Sequence, residues 1–257
     1  MIIDMKKLFI LALFSAATLC SYAQKSAIGL EVGFAQSDFR LNQPLPPNDP
    51  NTKVLGLTAL NGLKVGLMWD ATYIKGFGST IGLRYTFGST LTNWVKVKDD
   101  QIGDFPRTKD RYNYSQLELY VDWQYKFEIA ANTYIILSTG PSIQCGISMQ
   151  NTNYYQEFNQ ETQEKRISRY DYSDADLQKD YQRFNVGWGI GAGFQYDRFF
   201  IRGGYDFGLT NPYKIHNFNE IPDLIKKYGN DYSQYTRGRL DQWHIRLGFY
   251  FMQWDNK

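Results

Sequence analysis

The chain has 257 residues, of which 43% are hydrophobic and 17% aromatic, and it contains 22 glycines. Its formal net charge at pH 7 is +2 and it has no long basic run, so the composition argues against a nucleic-acid-binding protein. Beyond the N-terminal region, no segment approaches the roughly 20 consecutive apolar residues that a transmembrane helix needs. The high content of aromatic residues and glycine favours one β-barrel domain.

The N-terminus has the pattern of a secretory signal peptide. The basic pair Lys6-Lys7 precedes an apolar run over Leu8–Leu19, and a Ser-Tyr-Ala motif follows as a small-x-small cleavage site. The run is too short for a spanning helix. We therefore predict a signal peptide over residues 1–23 and a single barrel domain over residues 24–257.

The two cysteines indicate neither a lipid anchor nor a disulfide. Cys20 follows Leu19, whereas a lipid-attachment site requires a small residue before the cysteine. Cleavage after residue 23 leaves Cys145 as the only cysteine of the exported protein. An internal disulfide is therefore excluded, and stability must come from the barrel itself.

Apolar and polar residues alternate in eight segments, with the period of two that predicts a β-strand. In chain order the segments cover about residues 27–36, 62–73, 77–89, 114–128, 133–148, 184–196, 199–209 and 241–251. Pro141 interrupts the fifth segment, and because proline cannot donate to a strand ladder it predicts a bulge or weak pairing there.

Alternation alone does not say which face of these strands points inward. In the segment 184–196, Phe184, Trp188 and Phe194 share one face and glycines occupy most of the other. Large rings from eight strands would not fit inside a narrow barrel, whereas glycine and small polar residues would. We therefore predict an apolar exterior and a polar lumen, as in a transmembrane barrel. A soluble eight-stranded barrel that binds a ligand is the alternative.

The connections between the segments alternate between long and short. The short ones lie near residues 74–76, 130–132 and 197–198, and the long ones near residues 37–61, 90–113, 149–182 and 211–240. Outer-membrane barrels have short periplasmic turns, long external loops and an even number of strands. The sequence thus predicts an all-β, eight-stranded antiparallel up-and-down barrel with four long external loops. Residues 174–183 and 221–228 are predicted to form short helices within two of these loops.

A resemblance to known proteins rests on five features: the signal peptide ending SYAQ and the stretches GLEVGF, LKVGLMWDATYIKGFGSTIGLRYTF, VGWGIGAGFQYDRFFIRGGYDFGL and WHIRLGFYF. With them the chain resembles the small OmpA/OmpX-like outer-membrane barrels of Gram-negative bacteria, and particularly the PorT-like barrels, over nearly its whole mature length. The resemblance implies location in the cell outer membrane and insertion by the outer-membrane assembly machinery. For some PorT-like proteins it also implies a role in protein secretion.

Charged residues of both signs fall on the face predicted to line the lumen. The acids are Glu31, Asp70, Glu118, Asp122 and Asp206, and the bases are Lys64, Arg84, Lys126, Arg202 and Arg246. An eight-stranded lumen is just wide enough for side chains to fill it, and buried charges persist when they are paired. We expect a salt-bridged plug. A narrow, porin-like channel for small solutes, lined by the same charges, is the alternative.

Tryptophans fall on the face predicted to meet lipid. These residues are Trp69, Trp123, Trp188 and Trp243. Outer-membrane barrels carry aromatic girdles at both membrane interfaces, so we interpret the four as lipid-interface residues.

Catalytic chemistry finds little support in this sequence. His216 and His244 are the only histidines, and neither has a serine two or four positions away. A hydrolytic triad or a zinc site therefore has few ligands to draw on. We expect no catalytic residue, no metal and no cofactor, and we interpret His244 as a hydrogen-bonded structural residue. A lipid-modifying enzyme is the third hypothesis.

The predicted external loops are rich in tyrosine, which brings rigid amphipathic contact area. Their tyrosines include Tyr154, Tyr155, Tyr170, Tyr172, Tyr213, Tyr228, Tyr232 and Tyr235. This composition fits a recognition surface, and it equally fits solvated loops beside lipopolysaccharide. We expect a non-enzymatic scaffold, secretion-accessory or surface-interaction protein. Its expected partners are outer-membrane lipid and lipopolysaccharide, the assembly machinery, and other secretion or surface proteins.

Overall fold

The structure is a computed structural model that describes residues 23–41, 59–91, 94–96, 107–159, 162, 164–173, 182–212 and 238–255. The regular secondary structure of these residues is β-strand, and they include no helix that is long and apolar enough to span a membrane. The strands are β1 Lys25–Leu41, β2 Leu60–Ile74, β3 Phe77–Leu91, β4 Val95–Lys96, β5 Arg107–Ala130, β6 Thr133–Asn159, β7 Glu164–Tyr172, β8 Phe184–Tyr196, β9 Phe199–Gly208 and β10 Gly238–Asp255.

Eight of these strands close into a ring in the order β1, β2, β3, β5, β6, β8, β9 and β10. Every neighbouring pair is antiparallel, and β10 pairs with β1 to close the barrel. Each ring strand therefore lies beside the next ring strand along the chain, so the predicted up-and-down barrel is confirmed. Strands β4 and β7 lie outside the ring and pair only with β5 and β6, respectively, in the described part of the chain.

The outer face of the ring is apolar, as predicted. On β3, Leu83 is 47% exposed and Tyr85 is 37% exposed, while Arg84 between them is only 2% exposed. The same alternation recurs on β2, where Leu63 and Val65 are exposed and Lys64 is buried. A polar, filled interior excludes the soluble alternative, in which apolar side chains would face a ligand inside the barrel.

Short turns connect the ring strands at one end of the barrel. Lys75 and Gly76 join β2 to β3 with φ angles of 46° and 88°, and Asn132 and Asp197 also have positive φ in the turns after β5 and β8. Two-residue turns of this hand match the twist of the strands they join. A Cβ on Gly76 would lie 2.3 Å from the carbonyl oxygen of Lys126, so a larger residue would clash there.

Pairing between β5 and β6 is interrupted beside Pro141, as the sequence predicted. The ladder passes from the pair Tyr120 and Ser142 to the pair Trp123 and Thr139 in the same register, with no pair between them. On its other side Pro141 still pairs with Trp188 of β8. The missing amide of proline explains why one of the two ladders is broken and not both.

All four predicted loops contain strand residues, and two of them contain long extensions. Strand β5, predicted at 114–128, begins at Arg107, and β6, predicted at 133–148, ends at Asn159. Strand β4 lies within the predicted loop 90–113 and β7 within the predicted loop 149–182. These extensions are polar on both faces, so the apolar alternation that marks a barrel strand is missing. The signal peptide through residue 22, both predicted helices apart from residues 182–183, His216, and the tyrosines beyond Pro212 lie outside the described residues.

Candidate functional site

The lumen is asymmetric because β8 lines it with glycine. Every second residue of this strand from 187 to 193 is a glycine on the inner face. A Cβ on Gly189 would lie 2.4 Å from Asp206 Oδ1, and a Cβ on Gly193 would lie 2.9 Å from Arg202 Cγ. The glycines thus leave the space into which long side chains from the other strands extend.

Arg84 of β3 lies at the centre of the lumen and joins two carboxylates. Its Nε is 2.6 Å from Glu31 Oε1 on β1, and its Nη1 is 2.6 Å from Glu118 Oε1 on β5. The guanidinium also stacks on the ring of Tyr120, with its central carbon 3.2 Å from the ring centroid. A planar, forked cation is the side chain best suited to bridge two acids and cover an aromatic ring.

Each of these two carboxylates has a second cation. Arg246 of β10 donates to Glu31 Oε2 at 2.9 Å, and Lys64 of β2 donates to Glu118 Oε2 at 2.8 Å. Lys64 also donates to the side-chain carbonyl of Gln242. The resulting network joins five strands across the barrel, and its acids and bases are almost completely buried.

A second cluster lies nearer the short turns and centres on Asp70 of β2. Lys126 Nζ is 2.7 Å from Asp70 Oδ1, while Arg202 Nη2 and the hydroxyl of Tyr250 are 2.9 and 2.8 Å from Oδ2. The Thr80 hydroxyl donates weakly to the same oxygen at 3.3 Å. Four partners from four other strands therefore hold one carboxylate.

The remaining charged residues make looser contacts. Asp122 Oδ2 is 4.0 Å from Arg84, and Asp206 Oδ2 is 3.3 Å from His244 Nδ1. The histidine pair has an ion-pair distance without hydrogen-bond alignment, since both atoms are buried without a hydrogen-bond partner in the described residues. All ten predicted luminal charges thus lie on the inner face, eight of them in the two tight clusters.

Four uncharged residues complete these clusters: Tyr120 and Gln242 in the first, and Thr80 and Tyr250 in the second. They point inward by the same alternation that marks the charged residues. Their parity was a sufficient signal for their place on the inner face, but nothing local indicates that they touch Arg84, Asp70 and Lys64.

A cavity of about 870 Å³ opens beneath the second cluster at the short-turn end. Asp70, Lys126 and Tyr250 form its inner limit, and Arg198 and Trp254 are among the residues at its mouth. The lumen is therefore filled by paired side chains at its centre and open to solvent at the end where the chain enters β1 and leaves β10.

The four predicted interface tryptophans lie on the outer face. Trp123 and Trp188 are in contact, with ring centroids 5.7 Å apart. Trp188 Nε1 also donates a hydrogen bond of 2.9 Å to the hydroxyl of Thr139. Trp243 packs on Phe34 at 5.4 Å, while Trp69 is only partly exposed.

Metal ligands are sparse in this structure. Within the described residues, no group of three or more histidine, cysteine, aspartate or glutamate side chains is arranged to hold a metal ion. Arginine and lysine side chains pair with Glu31, Asp70 and Glu118, and the hydroxyl of Tyr250 donates a further hydrogen bond to Asp70.

Comparison with known proteins identifies the family. The profile of the family described as "Outer membrane protein beta-barrel domain" matches residues 22–213. The chain belongs to this family. A polar lumen, an apolar exterior and a closed ring of eight strands agree with that membership. As a member of the outer-membrane β-barrel family, the protein is located in the outer membrane.

Solved structures of small barrels are similar to this outer-membrane barrel. Ail, the attachment invasion locus protein of Yersinia pestis, is 11% identical, with 90% of this chain and 99% of Ail covered and a TM-score of 0.34. Neisserial surface protein A is 9% identical over 90% of this chain and 99% of its own, with a TM-score of 0.36. CarO of Acinetobacter baumannii is 12% identical over 85% and 97%, with a TM-score of 0.32. No curated protein matches the sequence.

The outer-membrane barrel carries a sheet that projects past its apolar exterior. We call this the projecting sheet, and it comprises residues 107–113 of β5, residues 149–159 of β6 and all of β7. Its strands continue those of the barrel, since β5 pairs with β6 up to Arg107 and Gln156. Strand β7 is the outermost strand on one side of the described sheet, and the two-residue β4 lies beside β5 on the other side.

Polar contacts hold both faces of the projecting sheet. On the inner face, Asn153 Nδ2 donates to Asp110 Oδ1 at 2.9 Å. On the outer face, the hydroxyl of Thr152 donates to Asp171 Oδ1 at 2.7 Å, and Arg169 lies 3.0 Å from the same carboxylate. These two contacts lower the pKa of the Asp171 carboxyl, with the Thr152 hydrogen bond as the larger cause.

Proposed function

We propose that the protein is a non-enzymatic outer-membrane barrel that binds a protein partner outside the membrane through its projecting sheet. The observation that carries the proposal is the projecting sheet itself, whose three strands continue beyond the exposed apolar residues of the barrel. Long elements of this kind outside a small barrel are usually functional. The resemblance to PorT-like barrels favours a partner that takes part in protein secretion. The barrel itself reaches the outer membrane after export directed by its signal peptide.

The composition of β7 supports recognition of a protein. Ile167 and Tyr170 are 56% and 52% exposed on opposite faces of this strand. Exposed apolar and aromatic side chains on an outermost strand suit a partner that adds a strand and fills pockets on alternate sides. Tyrosine contributes a large contact area with few rotatable bonds.

The paired lumen supports a binding role over transport. The contacts of Arg84 and Asp70 cross the barrel in two successive clusters, so a solute would have to separate buried ion pairs to pass. Breaking a buried pair costs about 3–5 kcal/mol. The second candidate is a narrow small-solute channel, favoured by the cavity of about 870 Å³ that reaches Asp70 from the short-turn end.

Excision of the projecting hairpin tests this proposal. Asn151 and Tyr172 face each other in the ladder, so a Gly-Gly link between them can replace residues 152–171 without disturbing the ring. We expect the unmodified protein, solubilised from its own outer membrane, to migrate on a native gel as a complex with a second protein. We expect the variant to fold, as judged by heat-modifiable electrophoretic mobility, but to migrate without that second protein. A matched control inserts Gly-Gly between residues 131 and 132, at the opposite end, and should keep the complex.

Planar-bilayer recordings separate the two candidates. We expect no stable current from the unmodified protein or from the excised variant. A complex that survives excision would place the binding site elsewhere. Stable currents from the unmodified protein would instead favour the channel.

A further inference from the structure

The projecting sheet separates charge between its two faces. Outward-facing cations are Arg107, Lys109, Arg111, Lys165 and Arg169, which we call the outer basic face. Asp171 is the one acid among the described residues of that face. The inner face has the opposite balance, with Asp110, Glu157 and Glu164 against Arg166.

Strand register and side-chain contacts establish these orientations. Lys109, Tyr154 and Arg169 form one row across three strands, and the row beside it contains Arg111, Thr152 and Asp171. Antiparallel partners point to the same side of a sheet.

Contacts on the outer side agree with this register. Arg111 Nε is 3.2 Å from the hydroxyl of Ser89, which also lies on the outer face. Lys109 lies over the ring of Trp94, with its Nζ 5.6 Å from the centroid. Successive cations on β5 are thus about 7 Å apart, and Arg169 lies about 10 Å from Lys109 on the far side of β6, a spacing that suits a ligand with several anionic groups.

The outer basic face continues the surface that meets lipid. Along β5 the outward side chains are apolar up to Leu117, then polar at Ser115 and Asn113, and then basic from Arg111. Arg111 lies six residues beyond Leu117, about 20 Å along the strand and about 15 Å along the axis of a tilted barrel. That height corresponds to the sugar region above the acyl chains of the outer leaflet.

We propose that the outer basic face binds the anionic groups of the outer-leaflet glycolipid, the phosphates and carboxylates of its sugar region. Charge complementarity and continuity with the lipid-facing belt both support this ligand. The acidic inner face repels the same anions from the mouth of the barrel, so the glycolipid is bound only on the side that faces the membrane. This site shares β7 with the protein-binding role proposed above, since Lys165 and Arg169 belong to the outer basic face, and its test therefore changes only cations of β5.

Charge-neutral variants test the site. In the variant Arg107→Gln/Lys109→Gln/Arg111→Gln the outer basic face loses three cations. The matched control Lys25→Gln/Lys75→Gln/Arg198→Gln loses three cations at the short-turn end, which faces the other leaflet. Binding of purified lipopolysaccharide to each folded protein in detergent is measured by titration calorimetry at two salt concentrations, with dephosphorylated lipopolysaccharide as a second probe.

We expect the affinity of the outer-face variant to fall by about tenfold or more, because each basic residue near an anionic surface contributes substantially to binding. The control should bind as the unmodified protein does, and binding should weaken with salt and with removal of phosphate. Equal losses in the variant and the control would overturn the proposal. So would affinity that is independent of phosphate, or equal affinity for soluble inorganic polyphosphate, which would indicate a soluble polyanion as the ligand.

Discussion

The change in the free energy of unfolding when Arg84 is replaced by methionine measures how completely water is excluded from the lumen. Methionine keeps much of the packing against Tyr120 but removes the charge that bridges Glu31 and Glu118 at 2.6 Å each. Breaking a buried ion pair from one side typically costs about 3–5 kcal/mol, because the remaining charge is left without its partner. Here Glu31 keeps Arg246 and Glu118 keeps Lys64. We therefore expect a loss at the lower end of this range, about 3 kcal/mol.

The free energy of unfolding is measured by urea titration of the protein in lipid vesicles, followed by tryptophan fluorescence and heat-modifiable mobility. Arg169→Met is the matched control, since Arg169 and Asp171 form an exposed pair with 62% and 58% of their side chains accessible. We expect no measurable change for this control, because exposed pairs are screened by water.

A second substitution separates lost charge from lost packing. Adding Glu118→Gln to Arg84→Met should cost less than Glu118→Gln costs alone, because the 2.6 Å pair between Arg84 and Glu118 is already broken, although Lys64 loses its carboxylate in both cases. A loss below about 1 kcal/mol for Arg84→Met, the value of a surface pair, would refute the reasoning. It would mean that water fills the lumen and screens the network, and the channel candidate would gain support.

Three further substitutions or titrations test local features of the barrel. Gly140→Ala should destabilise the barrel by about 1–3 kcal/mol in the same urea assay, because its Cβ would lie 1.9 Å from the carbonyl oxygen of Val121. Gly146→Ala on the same strand is the control and should be neutral, because the nearest atom to its Cβ would be 3.7 Å away. Lys75 has a φ of 46°, a left-handed conformation that asparagine adopts more readily than lysine. Lys75→Asn should therefore raise the urea midpoint of unfolding through a gain in stability of up to about 1 kcal/mol, and an unchanged midpoint would contradict this. NMR titration of Asp171 should give a carboxyl pKa below that of free aspartate, because the ionised carboxylate accepts the hydrogen bonds from Thr152 and Arg169. Protection of the hairpin amides from exchange should therefore fall only as the pH drops through that pKa.

The sequence was sufficient to predict which face of its strand each residue occupies, but not its height along the barrel axis. Period-two alternation places Arg84 between Leu83 and Tyr85 and therefore inside the barrel, whatever the register of the strands. Which acid it meets depends on the tilt and stagger of the ring, which bring Glu31 from two strands away within 2.6 Å. Alternation along a single strand contains no information on that stagger, so the two luminal clusters were not predictable as separate groups.

The projecting sheet shows a different limit of sequence interpretation. Outside the membrane both faces of a strand meet water, so the contrast between apolar and polar residues disappears and the region has the composition of a loop. A weaker signal was present in the charges, since Arg107, Lys109 and Arg111 alternate with Thr108 and Asp110. Alternation of charge has the same period as alternation of hydrophobicity, and it marks a strand whose faces differ in potential.

The distribution of charge determines where an ionic ligand meets this protein first. The five acids and five bases of the lumen cancel, so the barrel axis carries little net field. The outer basic face has five cations and one acid among its described residues, and that excess extends into solvent over about a Debye length of 8 Å at physiological ionic strength. An anionic glycolipid is therefore steered to the side of the sheet and not to the lumen. Its association rate should fall steeply with added salt, while the stability conferred by the buried luminal pairs should change little.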